Sequence, residues 1–254
     1  MLNAESARPI RHSAFVIQQV FRPRLESGRM SDPIEELDLS AVPLFPLPNV
    51  VLFPRAVLPL HIFEERYKAM TADAIDGNRQ IAMALLRPGW EKRYHERAEI
   101  EPVVCVGTIL SHEKLLDGRY NFLLQGTVRA RVVREFGHLA YRVAELEALA
   151  EKPAMEIDLA DERRRLETIF DDHRLLGHGL ARRFRELLNG SVSTDIIADL
   201  IAFNFLEDIP LKQSLLADRD VRQRVGRTVD ALEALHSRLR AAVPAGFSKN
   251  PSLN

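Results

Sequence analysis

With one cysteine, Cys105, in 254 residues, the chain can form no internal disulfide and suits a reducing compartment. No apolar stretch approaches the roughly 18 residues that a membrane-spanning helix needs. Neither sign of charge dominates, since 35 basic and 36 acidic side chains leave a net −1. Nothing in the overall field therefore draws the chain to nucleic acid or an anionic membrane. None of the twelve glycines precedes a lysine, which excludes a phosphate-binding loop of the usual form. The patterns GxGxxG, GxSxG, HExxH and CxxC are absent as well. His112-Glu113 starts like a zinc-protease helix, but Leu116 stands where the second histidine belongs, and His95-Glu96 meets Glu99 at that place. His173 and His178 lie five apart across a glycine, off any common helical face. These absences predict a cytoplasmic protein with no catalytic centre, no cofactor and no metal.

What is present is concentrated between Pro43 and Tyr67, where five prolines interrupt leucine, valine and phenylalanine. Proline cannot donate to a sheet ladder, so it marks strand starts, edges and bulges. Val42–Leu47, Val50–Phe53 and Val57–Ile62 read as brief buried strands bending as a small barrel requires. A helix follows, with Phe63, Tyr67, Met70 and Ala74 on one face and Gly77 placed to end it in the left-handed conformation. Ile81–Leu86 is a further strand, ended by Arg87-Pro88-Gly89, and Trp90 to Glu101 reads as an exposed loop. Val103–Leu110 resumes the sheet, with Gly107 marking a bulge or close backbone approach. Asp117-Gly118 predicts a type I′ turn into Arg119–Gln125. Val128, Ala130 and Val132 then alternate with Arg129 and Arg131, which places both arginines on an outer face. Tyr141, Val143 and Glu145 begin the last alternation.

Pro153 marks a change to helical patterning. Leu159, Leu166, Ile169 and Phe170 share a face; Gly177 and Gly179 break that helix, and Leu180 to Leu188 forms a second. Ser193 or Thr194 is placed to cap a third helix whose apolar residues surround its axis, making it the most buried. A short helix covers Leu211–Leu216, and Val221 to Leu239 carries a seam under three heptads long. The predicted fold class is α+β, a mixed β pseudo-barrel over 39–152 followed by an α-helical bundle over 153–243. Residues 1–38 form an extension, disordered or preceding a true start at Met30, and 244–254 a disordered tail. Residues 1–29 carry five arginines against two glutamates, a balance also found in organelle transit peptides.

The reactive-looking residues have structural readings. Cys105 sits in an apolar strand, where a thiol is buried and inert. Glu64 and Glu65 beside Arg66 suit a helix start and a local ion pair. Arg163–Arg165 and the group Arg182, Arg183 and Arg185 have acidic neighbours, with Asp161 to Arg165 and Arg163 to Glu167 at ion-pair spacing. Phe184 reads as a core anchor.

The run PLFPLPNVVLFPRAVLPLHIFEERYKAM resembles the opening of the amino-terminal, substrate-binding domain of the ATP-dependent protease Lon. The likeness continues through IAMALLRPGWE, VVCVGTI, DGRYNFLLQGTVRARVVRE and YRVAELE. It reaches the helical part at DLIAFNF and LKQSLLADRDVRQRV, covering roughly Val42 to Leu239. YHERAEIEPVVCVG departs from the family's usual approach to its glycine strand. The resemblance implies a PUA-like pseudo-barrel with a helical bundle, standing alone without the ATPase and serine–lysine protease domains. It implies a non-enzymatic module of protein quality control that binds unfolded or damaged polypeptides and assists an ATP-dependent protease. Phe53, Val57, His61 and Tyr67 are the candidate peptide contacts, chosen for apolar or amphipathic character beside prolines that interrupt strand pairing. The alternative is a PUA-like module for RNA or a small ligand; the near-neutral charge argues against RNA.

Overall fold

The computed structural model describes residues 37–93, 97–137, 140–172 and 178–242. The predictions for the amino-terminal extension before residue 37, for the tail and for the Gly177 break lie outside the described residues. Among the described residues six strands form: β1 (Val42–Leu47), β2 (Val57–Ile62), β3 (Gln80–Leu85), β4 (Val103–Lys114), β5 (Tyr120–Phe136) and β6 (Arg142–Ala148). Pairing runs β5–β4–β3–β1–β6 and back to β5, closing a barrel, while β2 stands outside the ring against β5. Among these strands β1 and β3 are the parallel pair, and the other pairings are antiparallel. Closure depends on the length of β5: its first half takes β2, its second half takes β6, and β4 pairs along most of it.

The period-2 alternation of each strand sends side chains into two separate cores. Val42, Leu44, Ala82, Ala84, Val104, Val106 and their neighbours fill the narrow barrel interior. The alternate residues, among them Phe45, Ile81, Met83 and Cys105, face outward onto the helices and the crossing loops. This double coverage explains why β3 is buried at every position.

Three local expectations are corrected. Val50–Phe53 is not a strand but a buried crossing loop between Pro48 and Pro54, which ends at Arg55 with φ +66°. Gly77 has φ −99°; the left-handed residue that turns the chain into β3 is Arg79 at φ +62°. The turn at Asp117-Gly118 is not type I′, because only Gly118 has positive φ, at 78°. Gly118 N–H donates to Leu115 O at 2.9 Å and Leu115 N–H to Arg119 O at 2.8 Å, the type I turn with a glycine bulge. Gly107 and Gly126 lie opposite each other. A side chain on Gly126 would strike the Phe53 carbonyl, so the crossing loop rests directly on β5.

The helices are α1 (Glu65–Asp76), α2 (Ala160–Asp171), α3 (His178–Leu188), α4 (Thr194–Phe205), α5 (Ile209–Ala217) and α6 (Val221–Ala242). In α4, Ile197, Ala198, Leu200, Ile201 and Ala202 are all buried, as its encircling apolar pattern predicts. Phe184 stacks on Phe170 with ring centroids 5.0 Å apart and meets Phe205 edge-on at 5.2 Å, a core anchor as expected. Ser193 makes no side-chain cap for α4. Instead the Glu156 carboxylate accepts from the backbone N–H and the hydroxyl of Thr194, each at 2.7 Å. Among the described residues no helix is long and apolar enough to cross a membrane.

Candidate functional site

Because β1 and β3 are parallel and β4 antiparallel to β3, two strand ends and one strand start emerge together at one end of the barrel. Helix α5 docks there: the Gln213 side-chain amide donates to Val103 O at 2.9 Å. Between them lies a cleft of about 510 Å³ whose walls include Leu85, Leu86 and Trp90 on the barrel side and Ile209 and Pro210 on α5. Pro48, Pro88 and Pro102 also line it; proline rings supply apolar surface without an N–H. Glu101 at the rim is paired with Arg87 at 3.4 Å. The volume is that of a ligand pocket, and the lining is apolar with few polar groups.

The wall formed by α5 is anchored by a buried charge cluster. Arg129 is not on an outer face: the bundle covers it, and it is 4% exposed. It donates to Asp199 at 2.6 Å and to Leu216 O at 3.1 Å, and its guanidinium lies 3.1 Å from Glu151. Arg224 from α6 adds a second buried cation, 3.0 Å from Glu151 and 3.3 Å from Asp199. Burial works against the Arg129 charge, but Asp199 and then Glu151 outweigh it and hold the guanidinium more firmly protonated than usual. Arg131 is exposed and pairs with Glu147, so the predicted outer face holds for that arginine alone.

The sequence-predicted contacts do not converge on this cleft. Phe53, Val57 and Tyr67 are buried: the Phe53 ring lies beneath Arg129, 6.0 Å away, and Tyr67 packs on Phe45 at 4.5 Å. Their apolar character beside prolines serves the core. His61 is half-buried on β2, its Nδ1 2.7 Å from Asn121 Oδ1 and its Nε2 3.4 Å from Arg119. Of the residues that do line the cleft, Leu85, Leu86 and Val103 read in the sequence as strand residues and Pro88 and Trp90 as turn and loop; none of them was marked as a contact.

Other candidates fall to structural roles. Burial pushes the Cys105 thiol up to about 12, far from a nucleophilic thiolate. Arg163 donates to the backbone carbonyls of Val192 and Leu188, and its predicted approach to Glu167 occurs at 4.0 Å. Asp161 pairs with Arg164 and not with Arg165, which reaches across to Asp230 at 2.6 Å and Glu233 at 2.7 Å on α6. Arg182 and Arg185 pair with Glu186 and Asp171, so these basic clusters serve ion pairs and not a phosphate-facing stripe. Among the described residues no three histidine, cysteine or carboxylate side chains group as a metal site would.

The closed mixed barrel and the fused bundle define an α+β architecture shared with known proteins. The model of the ATP-dependent protease La (LON) substrate-binding domain matches residues 41–234. The chain belongs to that family. It is similar to Lon protease of Xanthomonas oryzae pv. oryzae, 26% identical over 247 residues that cover 94% of this chain and 28% of that protein. Lon protease of Dictyoglomus thermophilum is 27% identical over 187 residues, 72% of this chain and 23% of that protein. The chain thus spans about a quarter of the length of these curated relatives. The N-terminal domain of Mycobacterium avium complex Lon protease superposes with a TM-score of 0.61 at 16% identity, covering 76% of this chain and 98% of that one. A Lon N-terminal domain protein from Xanthomonas campestris gives 0.56 at 23% identity, with 75% and 98% covered. Both carry the fold.

Proposed function

We propose that this protein is a non-catalytic recognition module of the cytoplasm that captures apolar segments of unfolded or damaged polypeptides for an ATP-dependent protease. The observation that carries this reading is the cleft, an apolar depression walled on one side by barrel strand ends and on the other by α5. Family membership supports the same reading, since the matched domain is described as substrate-binding. Folded proteins bury their apolar side chains, so such a cleft discriminates in favour of chains that have lost their structure. The rim ion pair and the absence of a strong overall charge leave apolar burial as the main driving force.

The chain's one tryptophan, Trp90, lies in the cleft wall and serves as an intrinsic reporter. Titrating with a reduced, S-alkylated unfolded protein is expected to change its fluorescence saturably, while the same protein in its native form leaves it unchanged. Ile209→Glu places a charge in the cleft wall and is expected to weaken binding at least tenfold without loss of fold by circular dichroism. Absence of saturable binding by the unfolded probe overturns the reading.

A further inference from the structure

We infer that Gln213 on α5 makes the cleft selective for polypeptide: its side-chain oxygen takes one main-chain N–H of the client, whose neighbouring apolar side chains fill the cleft. The inference rests on the cleft reading and adds to it the group that the client must bring.

Gln213 lines the cleft and is 8% exposed. Its amide nitrogen donates to Val103 O at 2.9 Å. Only the nitrogen of a side-chain amide can donate to a carbonyl, so this bond turns Oε1 away from Val103 and holds it there. Among the described residues no donor meets Oε1, yet the oxygen is not sealed from solvent. In a side chain so well covered, the opening is the cleft that it lines. The other polar side chains of the lining are engaged. Ser214 Oγ donates to Leu211 O at 2.8 Å and accepts from Arg227 at 2.5 Å, and Glu101 faces Arg87. Pro48, Pro88, Pro102 and Pro210 bring no N–H to the walls. The cleft thus sets a fixed, neutral acceptor among apolar surfaces.

That acceptor selects the occupant. An apolar occupant displaces solvent from Oε1 and must supply a donor in its place, or leave a polar group buried and unpaired. A hydrocarbon chain has no donor to supply. A lysine or arginine head has donors but would lose its hydration between apolar walls. A main-chain N–H is neutral, and an apolar residue carries it beside the side chain that the walls accept. An unfolded chain offers both together, whereas a folded chain has that N–H bonded within its own secondary structure. Gln213 therefore reinforces the preference for lost structure that the apolar walls create.

The test uses the full chain and short peptides cut from the reduced, S-alkylated protein, chosen for a saturable change in Trp90 fluorescence. Versions N-methylated at one backbone position at a time are titrated against the wild type and against Gln213→Met, which has no amide acceptor. Methylation at one position is expected to weaken binding to the wild type about tenfold and to have little effect on binding to the variant. A purely structural glutamine would weaken both peptides alike and leave no such coupling. Should Gln213→Met fail to fold, Gln213→Lys, which keeps a donor for Val103 O and has no acceptor, takes its place with the same expectation. If the peptides bind and no position is sensitive, or methylation costs the same in both proteins, the inference fails and the cleft reading stands. The same holds if the intact probe binds and none of its peptides does, because one N–H in one cleft is then not what holds the client. If neither peptide nor intact probe binds, both readings fall.

Discussion

Among the described residues no acid pairs with the buried cation Lys212. It is 8% exposed, its Nζ donates to Phe203 O at 3.0 Å, and it lies 5.3 Å from the Phe203 ring. The carbonyl belongs to the last turn of α4, where a cation is favoured. Burial nevertheless lowers its pKa from 10.5 to about 8. The folded state thus binds fewer protons than the unfolded state between those values, so stability rises as pH climbs through that window. Below pH 8 the charge is a cost that the native state carries. Lys212→Met loses a hydrogen bond but removes this cost, and is expected to be more stable at pH 7 by on the order of 2 kcal/mol. The advantage should shrink towards pH 10, as the wild-type lysine loses its charge. Urea denaturation of both proteins at the two pH values checks this; an unchanging difference would refute it.

At the scale of elements, helix α4 begins on a carboxylate 38 residues upstream. Glu156 takes both the N–H and the hydroxyl of Thr194, a distant equivalent of the capping box. Glu156→Ala is expected to cost about 1–2 kcal/mol, measured as a shift of the denaturation midpoint, whereas Ser193→Ala should be near neutral because Ser193 makes no cap. This pair of variants shows why some elements were legible and others were not. Periodicity and punctuation are local, so β1, β2, the last helix and the apolar girth of α4 could be read directly. Capping by a residue in another segment is not local, and sequence spacing pointed to the adjacent Ser193 or Thr194. Arg129 failed for a related reason: alternation correctly put it on the opposite side from Val128 and Ala130, but not what covers that side. The acid that receives it, Asp199, lies inside an apolar run. The candidate site was less legible than the fold. A cleft is made by strand ends and a helix distant in the chain, and no single stretch carries its pattern.

The whole molecule has two architectural parts, but the bundle has no core separate from the barrel's outer face. The barrel interior is one cluster. The outer barrel surface, the crossing loop and the helices share another, which runs from Phe45 through Cys105 to Leu232. Across this shared core the Arg129, Asp199, Arg224 and Glu151 charges are closed on one another. Cutting the chain between β6 and α2 would expose one whole face of the barrel and strip Arg129 of Asp199. The cleft would lose its α5 wall in the same stroke. Barrel and bundle are therefore expected to unfold in one cooperative transition, with equal calorimetric and van't Hoff enthalpies. Asp199→Ala removes the acid between two buried cations and is expected to cost about 3–5 kcal/mol. That loss should move the single transition to lower temperature and weaken capture of the unfolded probe, because the mutated joint also sets the cleft. Two resolved transitions in the wild-type scan would show that the parts fold separately. The cleft would then be a hinge between them and not a fixed groove.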